Sequence, residues 1–195
     1  MEGKTEARQG EETAWTRPSL TFYHPNAKGT GCAVQLTLHP AHGDTAGSIF
    51  LLAANQMSVG SGSGATRVFP KFDWENRICV KLDFADLCKI LQVLRGECES
   101  IDDGRGLFHR SAGGSAAIKF RHVVEPTCGY SLEIYRSGGA GGEKASHILF
   151  GAAEGLGLCE VISRALPTVC FGVPATYAAA AQSRASRGKG GENAA

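Results

Sequence analysis

Residues Arg77–Gly96, RICVKLDFADLCKILQVLRG, contain a change of hydrophobic period that decides the fold. Ile78, Val80 and Leu82 alternate with Arg77, Cys79 and Lys81, the two-residue period of a strand with one buried face. From Phe84 onward the spacing is helical, with Phe84, Leu87, Cys88, Leu91 and Leu94 on one stripe. Asp83 suits the N-cap, with Asp86 three residues on, and Gly96 ends the helix. A half-buried strand therefore runs directly into an amphipathic helix.

Upstream, Leu20–His24, Ala33–Pro40 (AVQLTLHP) and Ser48–Ala53 are short apolar-rich runs. The segments Asn26–Gly31, His42–Gly47 and Gly60–Gly64 punctuate them. Downstream the strand pattern returns in Leu107–Arg110, Ala117–Val124 (AIKFRHVV), Tyr130–Arg136 (YSLEIYR) and His147–Phe150. A second helical stretch runs from about Ala152 to Ala165, with Pro167 shortly after it. The order is four strands and a helix, then the same again. The expected fold is α+β: two four-stranded antiparallel sheets packed face to face, with two helices covering an open end or edge. Residues 1–17 read as a flexible N-terminal arm, 18–174 as the one domain, and 175–195 as a disordered low-complexity tail.

Composition bounds the function. The chain has 195 residues, a formal net charge of +1 and 43% hydrophobic residues, so it is neither a polycation nor a disordered polymer. No stretch approaches the ~18 apolar residues of a membrane-spanning helix, and no membrane partner is expected. Removing both tails leaves acids and bases in equal number, which still permits a locally basic face. The 26 glycines have no three-residue period and point to many turns rather than to collagen. Cys32, Cys79, Cys88, Cys98, Cys128, Cys159 and Cys170 are odd in number and form no CxxC. They read as small buried side chains in a reducing intracellular compartment. MEGKTEARQGEE has no apolar signal-peptide core and is too acidic for a typical transit peptide. Cytoplasm, nucleoid, and a mitochondrion or other organelle after presequence removal all remain compatible.

No catalytic, metal or cofactor constellation is complete. His39-Pro-Ala-His42 lacks a third ligand at metal-site spacing. Neither GSGSG (60–64) nor SGGAGGEKAS (137–146) completes a phosphate loop, because Lys144 is followed by Ala145. Glu97, Glu99, Asp102 and Asp103 read as a solvated turn. No GxSxG or HExxH occurs, so a non-enzymatic protein is expected.

The polar strand faces carry the chemistry instead. Alternation puts Arg77 with Lys81 opposite Ile78 and Val80, and Lys119 with Arg121 opposite Ile118 and Phe120. Ser131, Glu133 and Tyr135 oppose Leu132 and Ile134, and Lys28 sits in the first hairpin. Arg67, Phe69, Lys71, Phe72 and Trp74 mix basic and aromatic groups before the fourth strand. Basic groups neutralise phosphates, and aromatic faces stack on unpaired bases of any identity. The candidate phosphate contacts are Lys28, Arg67, Lys71, Arg77, Lys81, Lys119 and Arg121. Tyr23, Phe69, Trp74 and Tyr135 are the candidate stacking groups, although Trp74 reads equally as a core anchor. Contiguous basic and aromatic groups favour binding, whereas interleaved acids such as Glu133 favour a scaffold.

Several strings, taken in this order, are similar to the Whirly family of single-stranded DNA-binding proteins. KFDWENRICVK (Lys71–Lys81) resembles that family's aromatic, Asp-Trp, acidic and basic segment leading into a strand and the first helix. Cys98-Glu99 and Phe108-His109 resemble its Cys-Glu-Phe-Phe-His stretch, split here by Ser100–Leu107. Glu125-Pro126 with Gly129-Tyr130 resembles its Glu-Pro, turn, Gly-Tyr hairpin, and Leu166-Pro167 with Phe171-Gly172 the end of its second helix. Lys28-Gly29-Thr30-Gly31-Cys32-Ala33 resembles its Lys-Gly-Lys-Ala motif, from which Thr30 and Gly31 depart. The resemblance spans roughly residues 20–174. It implies single-stranded nucleic acid running along the sheets and between protomers of a homotetramer. Kinetoplastid mitochondrial RNA-binding proteins share the architecture, so RNA stands beside DNA. The expected function is sequence-tolerant single-stranded DNA binding without a cofactor. The alternative is single-stranded RNA binding, or a structural subunit of a ribonucleoprotein. DNA repair, transcription regulation and RNA processing are not separated by sequence.

Overall fold

The computed structural model describes residues 18–111, 114–125, 127–138 and 142–173. The expected arm and tail lie outside the described residues. The first sheet comprises β1 (Ser19–His24), β2 (Cys32–His39), β3 (Ser48–Ser58), β4 (Lys71–Phe72) and β5 (Ile78–Leu82). All its pairings are antiparallel. β2 lies along one side of β3, while β5 and then β4 share the other side. Helix α1 (Phe84–Leu94) follows. The second sheet runs β6 (Leu107–Ser111), β7 (Gly114–Val123), β8 (Gly129–Ser137) and β9 (Lys144–Gly151), in chain order, and α2 (Ala152–Phe171) completes it. The repeated strands-then-helix order is present, with the two-residue β4 as an addition.

The register explains the core. Val34, Leu36, Ile49, Leu51, Ile78 and Val80 share one face of the first sheet and are buried. Ile118, Phe120, Leu132, Ile134, Ile148 and Phe150 do the same in the second. One-residue slips would turn either set to water, so the hydrophobic alternation specifies the pairing. Leu87, Ile90 and Leu91 of α1 and Leu158 and Ile162 of α2 fill the remaining space. The helices pack on each other, α1 also on β5 and β7, and α2 also on β2, β8 and β9.

Asn55 fastens the two sheets. Its Nδ2 donates to the Ala145 carbonyl at 2.8 Å, and its Oδ1 accepts from Ser146 Oγ at 2.8 Å. Both partners lie on β9, the edge strand whose unpaired backbone would otherwise be open to other chains. α1 starts as its sequence dictates. Asp83 accepts from the Asp86 amide at 3.0 Å, and Asp86 Oδ2 accepts from the Asp83 amide at 3.1 Å, a reciprocal cap.

α2 is longer than the expected Ala152–Ala165: it continues through Pro167 to Phe171. Tertiary contacts hold the added turn. The amide of Ala41 donates to the Thr168 carbonyl at 3.1 Å, that of Gly47 to the Val169 carbonyl at 3.0 Å, and the Val169 side chain is buried. The β2–β3 loop thus satisfies the orphaned Val169 carbonyl and gives a second donor to that of Thr168, which also accepts from the Gly172 amide at 3.0 Å. Near its other end, Gly155 lets α2 approach β8, since a Cβ there would stand 2.1 Å from the Tyr130 ring. Tyr130 in turn donates its hydroxyl to the Leu94 carbonyl at the end of α1.

The cysteines are not the uniformly buried set that composition suggested. Cys32 is buried, and desolvation pushes its thiol up to about 11. Cys88, Cys98 and Cys159 are half-buried, and Cys79, Cys128 and Cys170 are exposed.

Candidate nucleic-acid interface

The strands of the first sheet, β1 to β5, contain no Asp or Glu, although Asp73 and Glu75 flank Trp74 in the β4–β5 loop. The register places Tyr23 beside Ala33 and Ala54, then Thr21, Gln35, Leu52 and Cys79 in the next row. Thr37, Phe50 and Lys81 form the third. The small Ala33 and Ala54 leave room for an aromatic cluster. Tyr23, 57% exposed, has its ring centroid 5.5 Å from that of Phe72 and 6.4 Å from that of Trp74. Trp74 is half-buried there, and Arg77 Nη1 donates to its carbonyl at 2.6 Å. Arg77 and Lys81 are exposed. This sheet therefore brings Tyr23, Trp74, Arg77 and Lys81 to one surface. Burial pushes the Cys79 thiol up, opposed by the nearby charges of Arg77 and Arg136.

Lys28, Arg67 and Phe69 stand apart from that surface, on loops. Asn26 Oδ1 accepts from the Lys28 and Thr30 amides at 3.0 and 3.1 Å, which fixes the β1–β2 turn. Buried Gln56 braces the same turn by accepting from the Asn26 and Gly31 amides. Gly31 follows from this brace: a Cβ there would lie 2.2 Å from the His24 carbonyl and 2.4 Å from Gln56 Oε1. Arg67 lines a cleft of about 340 Å³ against Asn26 and Ala27. Its guanidinium lies 4.9 Å from the centroid of the Phe69 ring, which is 65% exposed. Lys71, on β4, is exposed at the sheet margin.

The second sheet distributes charge differently. Lys119, Arg121 and Tyr135 all face outward, and Glu133 lies among them. Glu133 is directly opposite Lys119 and His147, its Oε1 is 3.8 Å from Arg121 Nη2, and its Oε2 accepts from the Tyr135 hydroxyl at 2.7 Å. That hydrogen bond holds the Tyr135 phenol above its usual range. The interleaved acid thus stands where a scaffold would place one.

Phe108, Arg110, Arg136 and Lys144 were not among the sequence candidates, yet they shape this sheet's surface. Phe108 is 66% exposed, with the Arg110 guanidinium 6.0 Å from its ring centroid. With Leu107 buried, strand alternation puts both on the outer side. Lys144 Nζ donates to the Asn76 carbonyl at 3.0 Å, joining the two sheets next to Arg77. Across all nine strands the charged residues are Lys71, Lys81, Arg110, Lys119, Arg121, Arg136 and Lys144 against the single acid Glu133. Among the described residues charge is therefore segregated, with a basic excess on the strands and every acid but Glu133 in loops and helices.

The His39 ring packs tilted against Phe50, centroids 4.4 Å apart, and His42 bridges to Thr45, so the HxxH pair serves the fold. Among the described residues no cluster of three or more His, Cys, Asp or Glu is placed to hold a metal. No helix among them is long and apolar enough to cross a membrane.

No protein-family model and no curated protein matches the chain. Solved structures do match its fold. The Whirly protein WHY1 from Arabidopsis thaliana superposes with a TM-score of 0.62 at 14% identity, over 93% of this chain and 98% of that one. WHY3 from the same plant gives 0.60 at 14% identity, over 87% and 97%. The fold is Whirly-like.

Proposed function

We propose that this chain is a sequence-tolerant binder of single-stranded nucleic acid, DNA in preference to RNA, and not an enzyme. The observation that carries this reading is the aromatic and basic outer face of the first sheet, whose strands hold no acid. There exposed Tyr23 clusters with Phe72 and Trp74, Arg77 is bonded to the Trp74 carbonyl, and Lys81 lies two rows further along the same face. Bases stack on such rings at roughly 1–3 kcal/mol each, whatever their identity, while the cations neutralise phosphates. Its fold is shared with Whirly proteins, which supports the same assignment.

A homotetramer is part of the proposal. α2 leaves Leu156, Val161 and Phe171 exposed at 68%, 42% and 88%, apolar area suited to contact between copies. Display on four protomers raises avidity for one strand through effective concentration. The second reading, a structural subunit of a ribonucleoprotein, is favoured by Glu133 among Lys119, Arg121 and His147.

Fluorescence titration with single-stranded and duplex oligonucleotides of both sugars, at two salt concentrations, tests the reading. Salt-sensitive preference for single strands is expected; equal or absent binding overturns it. Arg77→Ala and Lys81→Ala should each reduce the logarithmic salt slope by about 0.7, the value of one released counterion on a single strand. An unchanged slope removes that residue from the phosphate contacts.

A further inference from the structure

We infer that the second sheet carries a separate slot for one unstacked nucleobase, walled by Phe108 and Tyr135 and floored by Ala117. This deepens the single-strand reading and rests on it. Phe108, Ala117 and Tyr135 lie directly opposite one another on β6, β7 and β8. The two rings therefore rise from positions two strand spacings apart, about 9.5 Å, with only a methyl group between them. Aromatic rings pack with centroids about 4.5–7 Å apart, so this spacing admits one further ring between the pair at ordinary contact. An open cleft of about 400 Å³ lies here, lined also by Ser115, Ser137 and Ala145.

The walls are exposed but held. Phe108 and Tyr135 are 66% and 44% exposed, large rings on a face whose other exposed side chains are small or polar. Tyr135 is tied by its hydroxyl to Glu133 at 2.7 Å, and Glu133 is approached by Arg121 at 3.8 Å. The rim carries Arg136 and Lys144 but also Glu143, a mixed charge that suits an uncharged base better than a phosphate.

The experiment compares wild type, Phe108→Ala, Tyr135→Ala and Tyr135→Phe for binding a single-stranded oligonucleotide, with Tyr23→Ala as the variant on the other sheet. Loss of one stacking wall should weaken binding at least about fivefold, while Tyr135→Phe, which keeps the ring, should hold affinity within about twofold. Both alanine variants binding like wild type while Tyr23→Ala binds more weakly overturns the slot and leaves the single-strand reading standing. If wild type binds no oligonucleotide, the broader reading fails. Adenosine monophosphate titrated into methyl-labelled protein then decides the slot alone. Shifts at Ala117 and Ala145 that vanish in Phe108→Ala retain it for free nucleotides, and unmoved methyls overturn it.

Discussion

Asp86 shows how one side chain couples the helix start to water. It is 9% exposed, caps the Asp83 amide, and lies 3.3 Å from His109 Nε2, which finds no aligned hydrogen-bond partner. Desolvation raises its carboxyl above the ordinary 3.8, outweighing the amide hydrogen bond and His109. Below the ordinary range both folded and unfolded chains hold this proton. As pH rises the unfolded chain releases it first, so stability falls until Asp86 itself ionises. Urea midpoints from about pH 3 to about pH 7 should show this loss, and Asp86→Asn should flatten it. A slope that persists in the variant would assign the effect to other groups. Two glycines of α2 make an opposed pair. A Cβ at Gly155 meets the Tyr130 ring, whereas at Gly157 it meets nothing within 4 Å. Gly155→Ala should cost about 1–3 kcal/mol by overpacking. Gly157→Ala should gain up to about 1 kcal/mol from helix propensity alone. Chemical denaturation of both variants checks the signs.

Strand alternation and the helical stripe in Arg77–Leu94 were legible because each is a local pattern with one buried face. Helical spacing alone stopped α2 at Ala165, and only the Whirly-like string Leu166-Pro167 with Phe171-Gly172 marked its end. Pro167 signals termination, yet the Ala41 and Gly47 amides, more than a hundred residues upstream, complete the last turn. Proline removes one helix hydrogen bond and crowds the preceding turn, so its presence inside α2 is a cost that those contacts offset. Pro167→Ala should therefore raise stability by about 1–3 kcal/mol with the helix length unchanged, measured by thermal melting and circular dichroism. A lower melting temperature would show that the ring itself packs usefully. Likewise β4 was invisible, since a two-residue strand has no period to read; only its pairing with Gln56 and Ser58 of β3 defines it. Within the candidate site, Phe108 and Arg110 were readable by alternation. The meeting of Tyr23, Phe72 and Trp74 was not, because it joins positions some fifty residues apart across three strands' width.

For the assembled protein, the exposed apolar positions of α2 lead to a direct expectation. Light scattering at micromolar concentration should give a mass near four chains, and Leu156→Glu should lower it, because a charge in an apolar contact is costly to bury. A monomer in the unmodified protein would remove the tetramer from the proposal. Charge shows how far composition can mislead at this level. A formal net charge of +1 argues weakly against nucleic acid, yet the strands hold seven Lys and Arg against one Glu. Sequence alone determined the order of the eight longer strands and two helices, their buried apolar stripes and the absence of a complete catalytic motif, because these depend on spacing along the chain. Tertiary structure decided which outward groups meet, Tyr23 with Phe72 and Trp74 on one sheet and Glu133 with Arg121 and Tyr135 on the other. It also decided where two rings stand either side of an alanine, since such neighbours come from pairing register between strands far apart in sequence.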